Sequence, residues 1–236
     1  MVSGAEPAVP PNPSLLLLDS DVAFQIFLAE QIPILRHMKR KYGIQPAVVE
    51  AVDVEVRRNK KFRSRFAKAY QKSLDNGTIV VLDTRTLRAF VTTDARSVYE
   101  SIQSLGLHYK LFLDYGESYT HAAAVVLQVP AASNDHKALV VAENNGLEIH
   151  QPVLWMFHLV VFALQTGLLT ERDCEAIRKK LLEEAEGVPR AFEHCSFANG
   201  LPNFYARLAD GFIPAVGSPT TKSKWDHRIT VFASQG

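Results

Sequence analysis

The sequence predicts an α/β fold: a three-layer α/β/α arrangement around a mostly parallel central sheet, with an irregular C-terminal extension. Three observations predict it. Leu15-Leu16-Leu17-Leu18 is a short, unbroken apolar run, as expected of a strand buried on both faces. Two further short runs, Thr78–Leu82 and Val129–Ser133, alternate with segments of helical periodicity. That alternation is the signature of strands joined by right-handed helical crossovers.

The elements follow in order. Residues 1–13 contain Pro7, Pro10, Pro11 and Pro13 and read as a flexible leader. Leu15–Leu18 is the first strand, ended by Asp19. Ala23–Tyr42 reads as helix, with Phe24, Leu28 and Ile32 on one face and a kink or restart at Pro33. Gly43 terminates it behind the basic residues Arg36, Lys39, Arg40 and Lys41. Ile44-Gln45-Pro46 reads as a link, and Val48–Leu74 as one or two helices. Asp75-Asn76-Gly77 is a turn, and Thr78–Leu82 the second strand. Asp94–Leu105 is a helix capped by Thr93 or Asp94, and Gly116 begins another, Glu117–Leu127. Val129–Ser133 is a strand, His136–Asn144 a helix, Leu147-Glu148-Ile149 a short strand and Gln151–Leu164 a helix. Thr170-Glu171-Arg172-Asp173 resembles a capping box and opens a helix that runs to about Ala185. Past Gly187, prolines at 189, 202, 214 and 219 predict irregular structure. The expected division is a leader (1–13), a globular domain (14–186) and an extension (187–236).

Composition narrows the function classes. Of 236 residues 47% are hydrophobic, ample for a core, and the formal net charge is only +1. No global field therefore marks a polyanionic partner, and any nucleic-acid argument rests on local clustering. Cys174 and Cys195 form neither a CxxC motif nor a disulfide framework, which fits a reducing cytoplasm. The leader lacks the basic start of a signal peptide. The longest later apolar run, Pro152–Leu164, contains His158 and is too short to span a bilayer, so no membrane partner is expected.

The chemistry-bearing residues are acids. Asp19 follows the first strand, with Asp21 two residues on. Glu55 lies in an apolar helical stretch, with Glu50 and Asp53 as alternatives. Glu117 opens an alanine-rich helix after Asp114-Tyr115-Gly116. Asp135 follows a strand in Ser133-Asn134-Asp135. Carboxylates that converge at the C-terminal edge of a sheet suit Mg²⁺ or Mn²⁺, which need several oxygen ligands. The plainer alternatives are helix capping by Asp19 and Asp135 and a favourable first-turn charge at Glu117. His121 and His136 flank the acids as hydrogen-bond partners rather than ligands. Arg57, Arg58, Lys60, Lys61, Arg63 and Arg65 make the strongest basic cluster, either a contact to nucleic-acid phosphates or a solvated helix face. Phe62 and Phe66, four residues apart, read as core.

In their order, the segments LLLLDSDV (15–22), AVVEAVDVEVRR (47–58), DYGESYTHAAAVVL (114–127) and SNDHKALVVAENNGLEI (133–149) resemble the PIN-domain nucleases. The resemblance covers roughly residues 15 to 185. It implies a metal-dependent endoribonuclease with Asp19, Glu55, Glu117 and Asp135 as catalytic and metal-binding acids and Mg²⁺ or Mn²⁺ as cofactor. Asp21, where the family often has Asn, would add a ligand or cap the helix. RNA would be the substrate. Many family members are toxins of bacterial toxin–antitoxin pairs, so an antitoxin-like protein and a second copy of the chain are implied partners. The alternative is a non-catalytic module of the same fold that binds RNA or a protein.

Overall fold

The computed structural model describes residues 14–150 and 153–207. The leader and the end of the extension, 208–236, lie outside the described residues. The first strand is β1 (Leu15–Leu18), and all four leucines are buried. Two helices follow, α1 (Ser20–Leu28) and α2 (Ile32–Tyr42). The chain therefore restarts rather than kinks, and Pro33 sits in the first turn of α2, where its missing N–H costs nothing. Gly43 closes α2 in the left-handed conformation, φ 67°.

The largest departure from expectation comes next. Residues Gln45–Val49 form a strand, β2, not a link and a helix start. It pairs in parallel with β1, Leu15 opposite Gln45 and Leu17 opposite Ala47. Pro46 is tolerated because amide directions alternate along a strand. The Gln45 N–H donates toward β1, to Ser14 O, so position 46 faces the other side. There β3 (Val80–Leu82) begins pairing only at Ala47. Between β2 and β3 run α3 (Glu50–Arg58) and α4 (Lys60–Asp75), separated by Asn59, whose side chain caps α4 at Phe62 N.

After β3 come α5 (Thr84–Leu87), α6 (Ala95–Tyr109) and α7 (Tyr115–Leu127). The last segments are β4 (Ala131–Ala132), α8 (His136–Asn144), β5 (Val153–Leu154), α9 (Met156–Gln165) and α10 (Glu171–Glu183). Leu147–Ile149 is not a strand; the fifth strand is β5, at residues expected to begin a helix. The Thr170–Asp173 capping box forms as expected.

The sheet is wholly parallel, in the order β3-β2-β1-β4-β5. Helices α6, α7 and α8 pack together on one face, with Gly106 of α6 set directly against the Tyr119 ring of α7. Helices α1, α2, α4, α9 and α10 cover the other. Both faces are thus closed, which is why β1 is apolar throughout and β2 is apolar past Gln45.

Past Gly187 the chain carries α11 (Arg190–Glu193) and α12 (Phe197–Arg207), so this part of the extension is helical rather than irregular. Its aromatic rings join the core: Phe192 stacks on Phe157 at 4.8 Å and on Phe197 at 4.9 Å between centroids. Met156 and Phe157 are buried. Among the described residues no helix is long and apolar enough to cross a membrane.

Candidate metal centre

Strand order reverses beside β1: β2 lies on one side and β4 on the other, each reached by a separate crossover. In open α/β sheets the carboxyl ends of strands at such a point frame a crevice. The acids singled out in the sequence gather there. Asp19 leaves β1 and caps α1, accepting from Ser20 N at 2.7 Å. Asp21, in the first turn of α1, accepts from Val22 N and, across the crevice, from Asn134 N at 3.0 Å. Glu55 comes from α3, Glu117 from the first turn of α7 and Asp135 from the end of β4, where it caps α8 through Lys137 N and Ala138 N.

Gly116 lets α7 approach α3 and the end of β1 closely. Its N–H donates to Glu55 Oε1 at 2.8 Å. A Cβ at this position would collide with Glu55 Oε2 and lie 3.3 Å from Asp19 Oδ1. Both carboxylates therefore crowd the space that a methyl group on Gly116 would take. The Gly-Glu pair visible in the sequence has this steric reason.

Like charges in a desolvated crevice disfavour ionisation. Burial, with Asp21, Glu117 and Glu55 nearby, raises the Asp19 carboxyl well above the ordinary range. Burial first, and then Asp135, pushes Asp21 up to about 6 against the lowering effect of its amide donors. Burial and the charges of Asp135, Asp21, Asp114 and Glu55 push Glu117 up to about 8. Glu117 is 8% exposed, and its Oε1 has no hydrogen-bond partner among the described residues. Asp114, exposed at the N-cap position of α7, makes no cap hydrogen bond with its side chain. It is a further acid of the cluster, signalled in the sequence only by standing three residues before Glu117.

Among the described residues no three His, Cys, Asp or Glu side chains stand as a ready ligand set. Asp19, Asp21, Glu55 and Asp135 each accept from a backbone amide instead. The donor set nevertheless fits a hard divalent cation: all oxygen, anionic, carried on separate elements, with one buried oxygen unpartnered.

The surroundings are rigid. Asn134 ties the crevice together, donating through Nδ2 to Gln25 Oε1 and accepting from Met156 N, both at 3.0 Å. His121 lies one turn along α7 from Glu117, fully buried, and burial pushes its imidazole down to about 4. It is neutral at ordinary pH, and neither ring nitrogen has a hydrogen-bond partner among the described residues. The His136 side chain lies outside the described part of the structure.

A groove of about 670 Å³ opens beside the acids, lined by Asp21, Glu55, Arg58, Asn59, Lys61 and Tyr115 among others. All six basic residues expected to meet phosphates are exposed, and among the described residues Arg58, Lys60 and Arg63 make no ion pair. Arg57 is bound to Asp53 at 2.9 Å, Lys61 to Glu186 at 3.0 Å and Arg65 to Glu184 at 2.6 Å. Phe62 and Phe66 are packing residues, with centroids 5.5 Å apart in a cluster with Phe24, Phe27 and Tyr70. Cys174 is buried and its thiol pushed up to about 12, so it is no nucleophile.

No family model, curated protein or solved structure matches the chain. Its site is therefore read from its own chemistry.

Proposed function

We propose that the protein is a metal-dependent endoribonuclease of PIN-like type, working in the cytoplasm on RNA. Asp19, Asp21, Glu55, Glu117 and Asp135 would hold Mg²⁺ or Mn²⁺. The observation that carries this reading is Glu117: a buried carboxylate with an unpartnered oxygen, pushed up to about 8 by burial and surrounding acids. Such a cluster is costly to maintain without a cation. A bound divalent ion supplies neutralisation of phosphate charge and activation of water at neutral pH.

The chain's own residues do the rest. Glu55 and Asp21 line the groove, and Gly116, having no side chain, leaves room for Asp19 close to Glu55. The Gly116 amide keeps Glu55 from folding away. Arg58 and the neighbouring cations of α4 would position the RNA backbone without reading its sequence. The neutral His121 leaves the negative charge of the crevice uncompensated, as a cation requires.

Mn²⁺ titration by calorimetry on wild type and Asp19→Asn tests the reading, followed by incubation with a mixed RNA pool. Binding that is lost in the variant, with RNA cut only when metal is present, is expected. No binding at millimolar Mn²⁺ would sink it. The second reading, a non-catalytic module binding RNA or a protein, would then stand on the groove alone. A role as the toxin of a toxin–antitoxin pair belongs to the same proposal; growth arrest on expression, abolished by Asp19→Asn, is its expected outcome.

A further inference from the structure

The groove holds an aromatic ring that the hydrolytic reading leaves without a task. Tyr115 is 41% exposed and lines the groove together with Arg58 and Asn59. It directly precedes Gly116, whose amide holds Glu55, so its backbone is fixed relative to the acids. Its ring is backed by Tyr119 at 5.1 Å between centroids, edge to face. Tyr119 in turn is seated against Gly106 of α6. The Lys110 ammonium lies over the Tyr115 ring, 5.0 Å from its centroid. Such a contact at an exposed ring is weak, so the ammonium is free to swing to a nearby phosphate. Arg58 makes no ion pair among the described residues, unlike Arg57, Lys61 and Arg65. The groove volume, about 670 Å³, falls in the range of ~300–1,000 Å³ that encloses small ligands.

We propose that this groove is a subsite for one unpaired nucleotide of single-stranded RNA. The base stacks on Tyr115 and the backbone phosphate meets Arg58, which leads the strand past Asp21 and Glu55. A base inside a duplex is already stacked on both faces and offers none to the ring, so the subsite selects single strands. This inference rests on the ribonuclease reading but has its own test.

The test is binding of a short fluorescein-labelled oligouridylate and of an abasic oligomer of equal length, read by anisotropy in Ca²⁺. The two probes carry the same charge and differ only in the bases. Wild type should bind the oligouridylate about tenfold more tightly. Tyr115→Ala should level the two, and Tyr115→Trp should restore the difference, with its added indole fluorescence quenched by the oligouridylate. In cleavage with Mn²⁺, Tyr115→Ala should raise KM and leave kcat close to that of wild type. Wild type binding both oligomers alike overturns the subsite and needs no variant to show it. So does a folded Tyr115→Ala that keeps the preference. Cleavage intact in either case leaves the ribonuclease reading standing. A wild type that neither binds nor cleaves RNA removes both.

Discussion

Replacing Glu117 by Gln keeps the shape of the side chain and removes its charge. In the metal-free protein the carboxylate is buried among Asp135, Asp21, Asp114 and Glu55, so its ionisation destabilises the fold. The sign follows from linkage. A group raised in the folded state contributes stability below its unfolded value and loses it as pH rises through the folded value. For Glu117 that window runs from the ordinary glutamate value of 4.5 to about 8. Metal-free Glu117→Gln should therefore melt several degrees above wild type at pH 8.5 and converge with it at pH 5, at about 2–4 °C per kcal/mol for a chain of this size. Its Mn²⁺ affinity should be lost. Thermal melts in chelator and calorimetry check both outcomes. Gly116→Ala is the steric counterpart: a Cβ there strikes Glu55 Oε2 and crowds Asp19. It should cost about 10–100-fold in Mn²⁺ affinity, the scale seen when a ligand loses its orientation, with the fold retained. Affinity equal to wild type would mean that Glu55 is not a ligand.

Among the elements, β2 shows where local signals run out. Gln45 and Pro46 read as a link, and the apolar run of β2 merges without a break into α3. A strand buried on both faces has no alternation to mark it. What makes Gln45–Val49 a strand is the empty place between β1 and β3, with Pro46 turned to the unpaired side. Helix α4 carries the other lesson. Its basic residues were legible, but not that Lys61 and Arg65 are engaged by Glu186 and Glu184 from the end of α10 and the turn beyond it. Exposed pairs of this kind contribute little to stability. Glu184→Gln with Glu186→Gln should leave the melting temperature nearly unchanged, while freeing two cations to strengthen RNA binding and steepen its salt dependence. Anisotropy at two salt concentrations checks this; an unchanged slope would place the phosphate contacts elsewhere.

At the scale of the whole molecule, pH and metal should act together. Asp19, Asp21 and Glu117 are all raised, so metal-free stability should fall as pH rises from 5 to 8. Glu175, lowered to about 2 mainly by its Arg178 partner, acts oppositely and loses its contribution only in strong acid. Added Mn²⁺ should raise the melting temperature more at pH 8 than at pH 5, because it binds the ionised form. An equal rise at both would deny that the raised acids are the ligands. The chain past Gly187 belongs to this same body. Phe192 is fully buried between Phe157 and Phe197, and Phe192→Ala should cost about 3–5 kcal/mol, read by denaturant unfolding.

By itself the sequence determined the fold class and the acids. Four leucines in a row need apolar cover on both faces, and apolar spacing with the capping signals sets α7 and α10 almost to their ends. Asp19 and Asp135 stand out because each follows a strand, Glu117 because it opens a helix, and Glu55 because it lies in an apolar helical stretch. Only the tertiary structure decided that β2 is a strand, that Phe192 and Phe197 complete the core, and that Asp114 and Tyr115 join the site. It also decided that Asn134 is a clasp and that Glu117 is buried without a partner. The physical reason is range. Periodicity and caps act over a few residues of chain, whereas desolvation, like-charge crowding and the fit of Gly116 against Glu55 exist only once separate crossovers bring those residues to the same crevice.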